Sequence, residues 1–198
     1  SYLMSTGSAV AWNMPNRLNF LTIVPMFHCN GWGYPWTIPM LNGRTICLRN
    51  IDVKKIFELI DKYNVTHFGG APIVLNMITG APGSDKKKLK QKVYVLTAGA
   101  PPPSIIFKKM KELGFEVMHV YGLTETYGHV TQCAWNDAWN EFDEEKQNEI
   151  KARQGVRYPN TEGIAVMDPE KMKEVPKDGK TIGEIMIKGN VVMKGYFK

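Results

Sequence analysis

Strand-like and helix-like segments alternate along most of the chain, and this alternation constrains the fold more than any other feature of the sequence. Residues 20–24 form a near-continuous apolar run that ends at Pro25, which is typical of a strand buried on both faces. Asp52 is suited to cap a helix over Val53–Tyr63, where apolar residues recur at the helical period. Further strands are predicted at 65–68, 93–97 and 115–121, and further helices begin at Pro72 and Ser104. The alternation predicts the α/β class, with βαβ units around a parallel sheet.

The pattern changes near Gly155, after a charged helix predicted over residues 143–153. Short strands are predicted at 163–167 and 183–187, with a polar turn at 176–179 between them. We therefore predict two units, an α/β core at residues 1–154 and an incomplete β-rich subdomain at residues 155–198.

Charge is distributed unevenly along the chain. Residues 1–50 carry three basic side chains, Arg17, Arg44 and Arg49, and no acidic one, although the whole chain has a formal net charge of +6. Because charged residues cover protein surfaces, we expect this opening segment to be buried on several sides within a larger protein. The first residue, Ser1, is not Met, which favours the same interpretation.

Composition disfavours several classes of protein and partner. No apolar run approaches the roughly 18 residues of a membrane-spanning helix. The cysteines Cys29, Cys47 and Cys133 are far apart in the sequence, which argues against a disulfide framework or a zinc site and favours a reducing, cytoplasmic compartment. The basic run at 86–92 has no interleaved aromatic residues, so it is predicted to be a solvated loop face that binds no nucleic acid.

Residues 121–126, Tyr-Gly-Leu-Thr-Glu-Thr, follow a predicted strand and carry the strongest chemical signal. A glycine there lets the backbone approach a ligand closely, and two hydroxyls flank a carboxylate, as around a phosphate-bound Mg²⁺. The alternative is an ordinary strand-to-helix turn capped by Thr124.

Two further segments also follow predicted strands. Residues 97–103 are small or proline, which suits a planar ring at the carboxyl end of a parallel strand, although a rigid turn is the alternative. Residues 25–33 place His28 and Trp32 in an apolar setting, which indicates a lined pocket unless both are structural. A nucleophilic pair of Cys29 and His28 is a poor alternative, because adjacent side chains diverge.

In this order, the three segments resemble the adenylate-forming, AMP-binding superfamily, and within it the acyl-CoA synthetases. Residues 121–126 are similar to that family's nucleotide motif, residues 99–101 to its adenine platform, and residues 27–33, Phe-His-x-Asn-x-Trp-Gly, to its acyl-pocket segment. Residues 183–196 are similar to a late motif of its large N-terminal domain, and residues 151–155 to fatty-acid–CoA ligases. The resemblance covers essentially the whole chain.

The resemblance implies a two-step ligase that uses ATP, Mg²⁺ and coenzyme A to convert a fatty acid to an acyl-adenylate and then to a thioester. Thr124 would contact phosphate, Glu125 would hold Mg²⁺, and His28 and Trp32 would line and gate the acyl channel. The residues implied around the nucleotide are Gly99, Ala100 and Pro101 beside the adenine, Tyr121 stacked on its other face, and Gly122 with Thr124 at the phosphates.

The sequence also departs from that family's pattern. A phosphate loop ending in Pro-Lys-Gly and a Thr-Gly-Asp motif are absent, so the resemblance implies a central part of the large domain, and we expect the isolated chain to form no thioester. Another acid-adenylating enzyme of the superfamily is one alternative, although the acyl-pocket segment lacks the acidic residue that an amino-acid substrate would need. A truncated, non-catalytic paralogue that binds acyl groups or nucleotide is the other.

Overall fold

The computed structural model describes residues 1–197, and a seven-stranded sheet forms its centre. Its strands lie in the order β2-β1-β3-β4-β5-β6-β7, and β1 to β5 are parallel. The strands are β1 (Asn19–Thr22), β2 (Arg44–Cys47), β3 (His67–Gly69), β4 (Val93–Thr97), β5 (Phe115–Leu123), β6 (Gly128–Gln132) and β7 (Val156–Arg157). The predicted α/β class and its parallel sheet are confirmed.

Helices connect the parallel strands and cover both faces of the sheet. They are α1 (Tyr2–Ala11), α2 (Cys29–Trp32), α3 (Tyr34–Met40), α4 (Val53–Tyr63), α5 (Pro72–Gly80), α6 (Ser104–Glu112) and α7 (Glu144–Lys151). The predicted cap of α4 is confirmed, since the Asp52 carboxylate accepts a hydrogen bond from the Lys55 backbone N–H at 2.8 Å. In the basic run, Lys87 and Lys90 pair with Asp61 at the end of the same helix.

Alternation along the strands sends neighbouring side chains into two different cores. Leu21 and Val95 join the larger apolar cluster, which includes residues of α4, α5 and α6. Phe20 and Leu96 join a second cluster with the aromatic side chains Trp12 and Tyr34. The two clusters fix the register of the strands, because a shift by one residue would exchange their side chains.

The chain departs from the predicted pattern after residue 121. Instead of a helix, residues 124–126 form a short 3₁₀ turn, and β6 returns antiparallel to β5. A Cβ on Gly122 would lie 1.8 Å from the backbone oxygen of Gly128. The close approach of β6 therefore requires glycine at this position, and the approach of a ligand to Gly122 stays a prediction.

The last part of the described chain forms a three-stranded antiparallel sheet in the order β10-β8-β9. Its strands are β8 (Gly163–Asp168), β9 (Lys173–Glu174) and β10 (Glu184–Lys188). Because β7 pairs with β6, residues 156–157 belong to the large sheet, and the boundary between residues 154 and 155 stays a prediction. Within residues 1–197, no helix is long and apolar enough to span a bilayer.

Candidate active site

A cavity of about 390 Å³ opens where the parallel strands β1, β3, β4 and β5 end. Ile23 and Val24 follow β1, Gly70 and Ala71 follow β3, and Gly99 follows β4. The carboxyl ends of neighbouring parallel strands are where open α/β sheets bind their ligands. Of the predicted site residues, the structure brings five together around this cavity: His28, Trp32, Gly99, Gly122 and Thr124.

The short segment α2 is a left-handed turn, and it carries Trp32 to the cavity. The φ angles from Cys29 to Gly33 are all positive, between 42° and 77°, and Trp32 N–H donates to the His28 carbonyl at 3.2 Å. The right-handed helix α3 therefore begins only after this turn, at Tyr34. Each residue other than glycine in this conformation costs about 1–2 kcal/mol, which is strain stored beside the cavity.

Trp32 and His129 form one wall of the cavity. Their ring centroids lie 5.1 Å apart with an interplanar angle of 78°, so the two rings pack edge to face. On its other side, the indole lies close to Gly69, where an added Cβ would be 3.2 Å from two of its ring carbons. This arrangement fixes the indole across the cavity.

His129 is a site residue that the sequence analysis missed. Its ring is buried, and neither nitrogen has a hydrogen-bond partner within the described residues. Burial lowers its pKa to about 3, so the ring is neutral at physiological pH. The position is set by the antiparallel strand β6, which brings residue 129 back beside Trp32, and no spacing in the sequence signals it.

The cavity lining is apolar and carries no fixed charge. The described residues around it include no Asp, Glu, Lys or Arg, and most are aliphatic or small. Its polar side-chain groups are two imidazoles, the indole N–H of Trp32, the thiol of Cys29 and the hydroxyl of Thr124. Such a lining suits an uncharged apolar group and offers no partner for an ammonium group.

The two threonines of the motif have different roles. Thr126 is buried, and its hydroxyl receives the Leu123 backbone N–H at 3.0 Å and lies 2.8 Å from the Gly128 carbonyl oxygen. Thr124 does not cap this turn, and its Oγ1 lies 3.7 Å from the Cys29 Sγ at the cavity. Because Thr126 holds the turn, the hydroxyl of Thr124 is free to contact a ligand.

Glu125 lies next to the cavity rather than in its lining. Its carboxylate accepts a hydrogen bond from the Tyr196 hydroxyl at 2.7 Å, and that bond holds the pKa of Glu125 below its ordinary value. Among residues 1–197, no cluster of three His, Cys, Asp or Glu side chains could hold a metal ion. A lone carboxylate fits Mg²⁺, which proteins commonly bind through one or two carboxylates together with substrate phosphates.

The remaining predicted site residues do not line this cavity. Ala100 and Pro101 are exposed in the loop after β4. Tyr121, one residue before Gly122, borders a separate cavity of about 390 Å³ next to the three-stranded sheet. Their contacts with a nucleotide, like the ligand contacts of the other site residues, stay predictions.

Comparison with known proteins agrees with the family that the sequence motifs resemble. The chain is 48% identical over 200 residues to an acetate/butyrate–CoA ligase, AAE7, peroxisomal, of Arabidopsis thaliana. It is 50% identical over 200 residues to an acetate–CoA ligase, CCL3, of Humulus lupulus. Each alignment covers 100% of this chain and 35% of the relative, so the chain spans about a third of the length of these proteins. Since the Arabidopsis relative is peroxisomal by name, the cytoplasmic compartment of this chain stays a prediction.

Solved structures and a family model complete the comparison. The crystallised N-terminal domain of FACL13 from Mycobacterium tuberculosis matches with a TM-score of 0.77 over 98% of this chain and 46% of that chain, and its 24% identity makes the likeness one of fold alone. The family model described as AMP-binding enzyme matches residues 1–197. Because that model spans the whole described chain, and both relatives align over its full length, the chain belongs to the AMP-binding enzyme family.

Proposed function

We propose that this chain forms the acyl-binding part of an AMP-forming ligase that joins a short-chain carboxylic acid to coenzyme A. The observation that carries the proposal is the uncharged cavity closed by Trp32 against His129 at the carboxyl ends of four strands. The resemblance implied a fatty acid without setting its chain length, and the names of the two relatives, which specify acetate and butyrate, support a short one.

The proposed reaction has two steps. In the first, a carboxylate oxygen of the acid attacks the α-phosphorus of ATP, a new P–O bond forms, and the bond to the bridging oxygen breaks to release pyrophosphate. In the second, the sulfur of coenzyme A attacks the acyl carbon, AMP leaves with the electron pair of the C–O bond, and the thiol proton passes to solvent. Both steps build negative charge on oxygen, which hydrogen-bond donors stabilise.

The chain's own residues position the reactants in this proposal. Thr124 donates its hydroxyl to phosphate at the mouth of the cavity, and residues 99–101 with Tyr121 border the adenine. Glu125 is the carboxylate that would hold Mg²⁺, and the ion would neutralise charge on the phosphates. His28, like Thr124, lines the cavity, and it would meet the acyl carboxylate there.

The size and shape of the cavity limit the acyl group. An apolar cavity of about 150 Å³ is enough for a benzene molecule, so about 390 Å³ holds a short chain or a small ring. The indole of Trp32 is pinned between His129 and Gly69, so it blocks further extension on that side. A long chain would therefore have to displace this wall.

The test is a substrate series on the complete polypeptide. We expect release of pyrophosphate and formation of acyl-CoA with acetate, propionate and butyrate, and kcat/KM lower by about tenfold or more for octanoate and palmitate. A preference for palmitate, or for an amino acid, would contradict the proposed substrate class. The same assay on residues 1–198 alone tests the prediction that the isolated chain forms no thioester.

A further inference from the structure

A segment from the end of the described chain, residues 189–196, lies against Glu125. It is anchored by Val191, which is buried in a cluster with Met4, Val130 and Tyr158. Beyond this anchor, the Met193 backbone N–H donates to the Glu125 carbonyl oxygen at 2.7 Å, and the Tyr196 hydroxyl donates to the Glu125 Oε1 at 2.7 Å. Two separate hydrogen bonds therefore fix the backbone and the carboxylate of one residue.

These contacts matter because, among residues 1–197, the Glu125 carboxylate has only its own backbone N–H as a further hydrogen-bond partner. It is the middle residue of a 3₁₀ turn at residues 124–126, and it belongs to none of the three apolar clusters. A carboxylate in such a position rotates freely unless a partner holds it. With Oε1 engaged by the tyrosine, the carboxylate keeps one orientation from which it can bind a cation.

We propose that Tyr196 is a positioning residue for the nucleotide-bound Mg²⁺, acting through the Glu125 carboxylate. The inference rests on the proposed function, in which Glu125 holds that ion. The tyrosine touches neither the substrate nor the metal, and its contribution is to select one orientation of the carboxylate.

The experiment measures nucleotide binding to the complete polypeptide by calorimetry, without the acid, using ATP with saturating Mg²⁺ and ATP with EDTA. In Tyr196→Phe, we expect the Kd of Mg²⁺-ATP to rise about threefold to tenfold, a usual range for an exposed hydrogen bond to a charged group. The Kd of metal-free ATP should stay unchanged. Tyr63→Phe, on α4, is the matched control and should change neither value.

Two further variants separate this inference from the proposed function. Glu125→Gln should weaken binding of Mg²⁺-ATP, and adding Tyr196→Phe to it should have no further effect, because the two residues act as a unit. If Glu125→Gln binds Mg²⁺-ATP normally, the proposed role of Glu125 fails, and the role of Tyr196 fails with it. If Glu125→Gln weakens binding and Tyr196→Phe does not, only the role of Tyr196 is overturned. An equal loss of Mg²⁺-ATP and metal-free ATP in Tyr196→Phe would also overturn it, since a general structural defect has that result.

Discussion

The two faces of the seven-stranded sheet bury different kinds of side chain. The face covered by α4, α5 and α6 packs aliphatic and phenylalanine side chains that are almost fully buried, such as Phe57, Phe68 and Leu75. The region around α1, α3 and β6 is equally buried but includes polar side chains. Within residues 1–197, several of these have polar atoms without a hydrogen-bond partner, namely Ser5, Ser8, Tyr34, His129, Thr131 and Tyr158.

This difference separates stability from function. A buried polar atom without a partner costs about 1–3 kcal/mol. The region around α1, α3 and β6 therefore contributes less to stability than the face covered by α4, α5 and α6. The left-handed turn that carries Trp32 adds to that cost and lies on the same side of the molecule. Such costs are common at functional sites, and here the left-handed turn and His129 both lie at the cavity.

The largest expected effect is on the apolar face. Phe68 is fully buried and packs edge to face against Phe115 with ring centroids 5.8 Å apart. We expect Phe68→Ala to lower the free energy of unfolding by about 3–5 kcal/mol, because it removes buried surface and leaves a cavity. The measurement is urea denaturation followed by circular dichroism.

The matched variant for the other face is Tyr34→Phe, which removes one buried hydroxyl and keeps the ring. Tyr34 is 2% exposed, and burial raises its pKa well above the ordinary value. We expect no loss, or a gain of up to about 1 kcal/mol, since an unpaired buried hydroxyl disappears. A loss above about 1 kcal/mol would show that the hydroxyl is paired, and it would remove the contrast between the two faces.

We expect the folded chain to be less stable in acid because of His129, on the cavity side of the sheet. Its pKa is about 3 in the folded chain and ordinarily 6.5, so between these values the unfolded chain binds a proton that the folded chain does not. The free energy of unfolding therefore falls as pH drops below 6.5 and is unaffected by this group above it. Between pH 8 and pH 5, His129 accounts for a decrease of about 2 kcal/mol in the free energy of unfolding.

The variant His129→Phe tests this contribution of His129 to the pH dependence of stability. It should reduce the loss of stability between pH 8 and pH 5 by about 2 kcal/mol, measured by urea denaturation at both values. Burial also lowers the pKa of His67, to about 4, so part of the acid sensitivity should persist. If His129→Phe loses as much stability between pH 8 and pH 5 as the natural sequence, the His129 ring is hydrated and not part of a dry wall.

The sequence predicted the apolar half of the molecule better than the site half. Helix α4, its Asp52 cap and the strand Val93–Thr97 follow from local periodicity and capping chemistry, so they were found with their bounds. The wall of Trp32 and His129 depends on a left-handed turn and an antiparallel return strand, and neither has a periodic signal. The bond between Tyr196 and Glu125 joins residues 71 positions apart, a separation at which only the fold decides contact.

The most direct test of the account is the chain-length profile of the complete polypeptide, with Trp32→Ala compared against the natural sequence. Each methylene that enters an apolar channel contributes about 0.8 kcal/mol, or roughly fourfold in affinity. If the indole closes the acyl cavity, its removal should raise kcat/KM for hexanoate relative to butyrate by about tenfold or more, with a small change in Tm. An unchanged profile together with a large drop in Tm would assign Trp32 to core packing and contradict the assignment of this cavity to the acyl group.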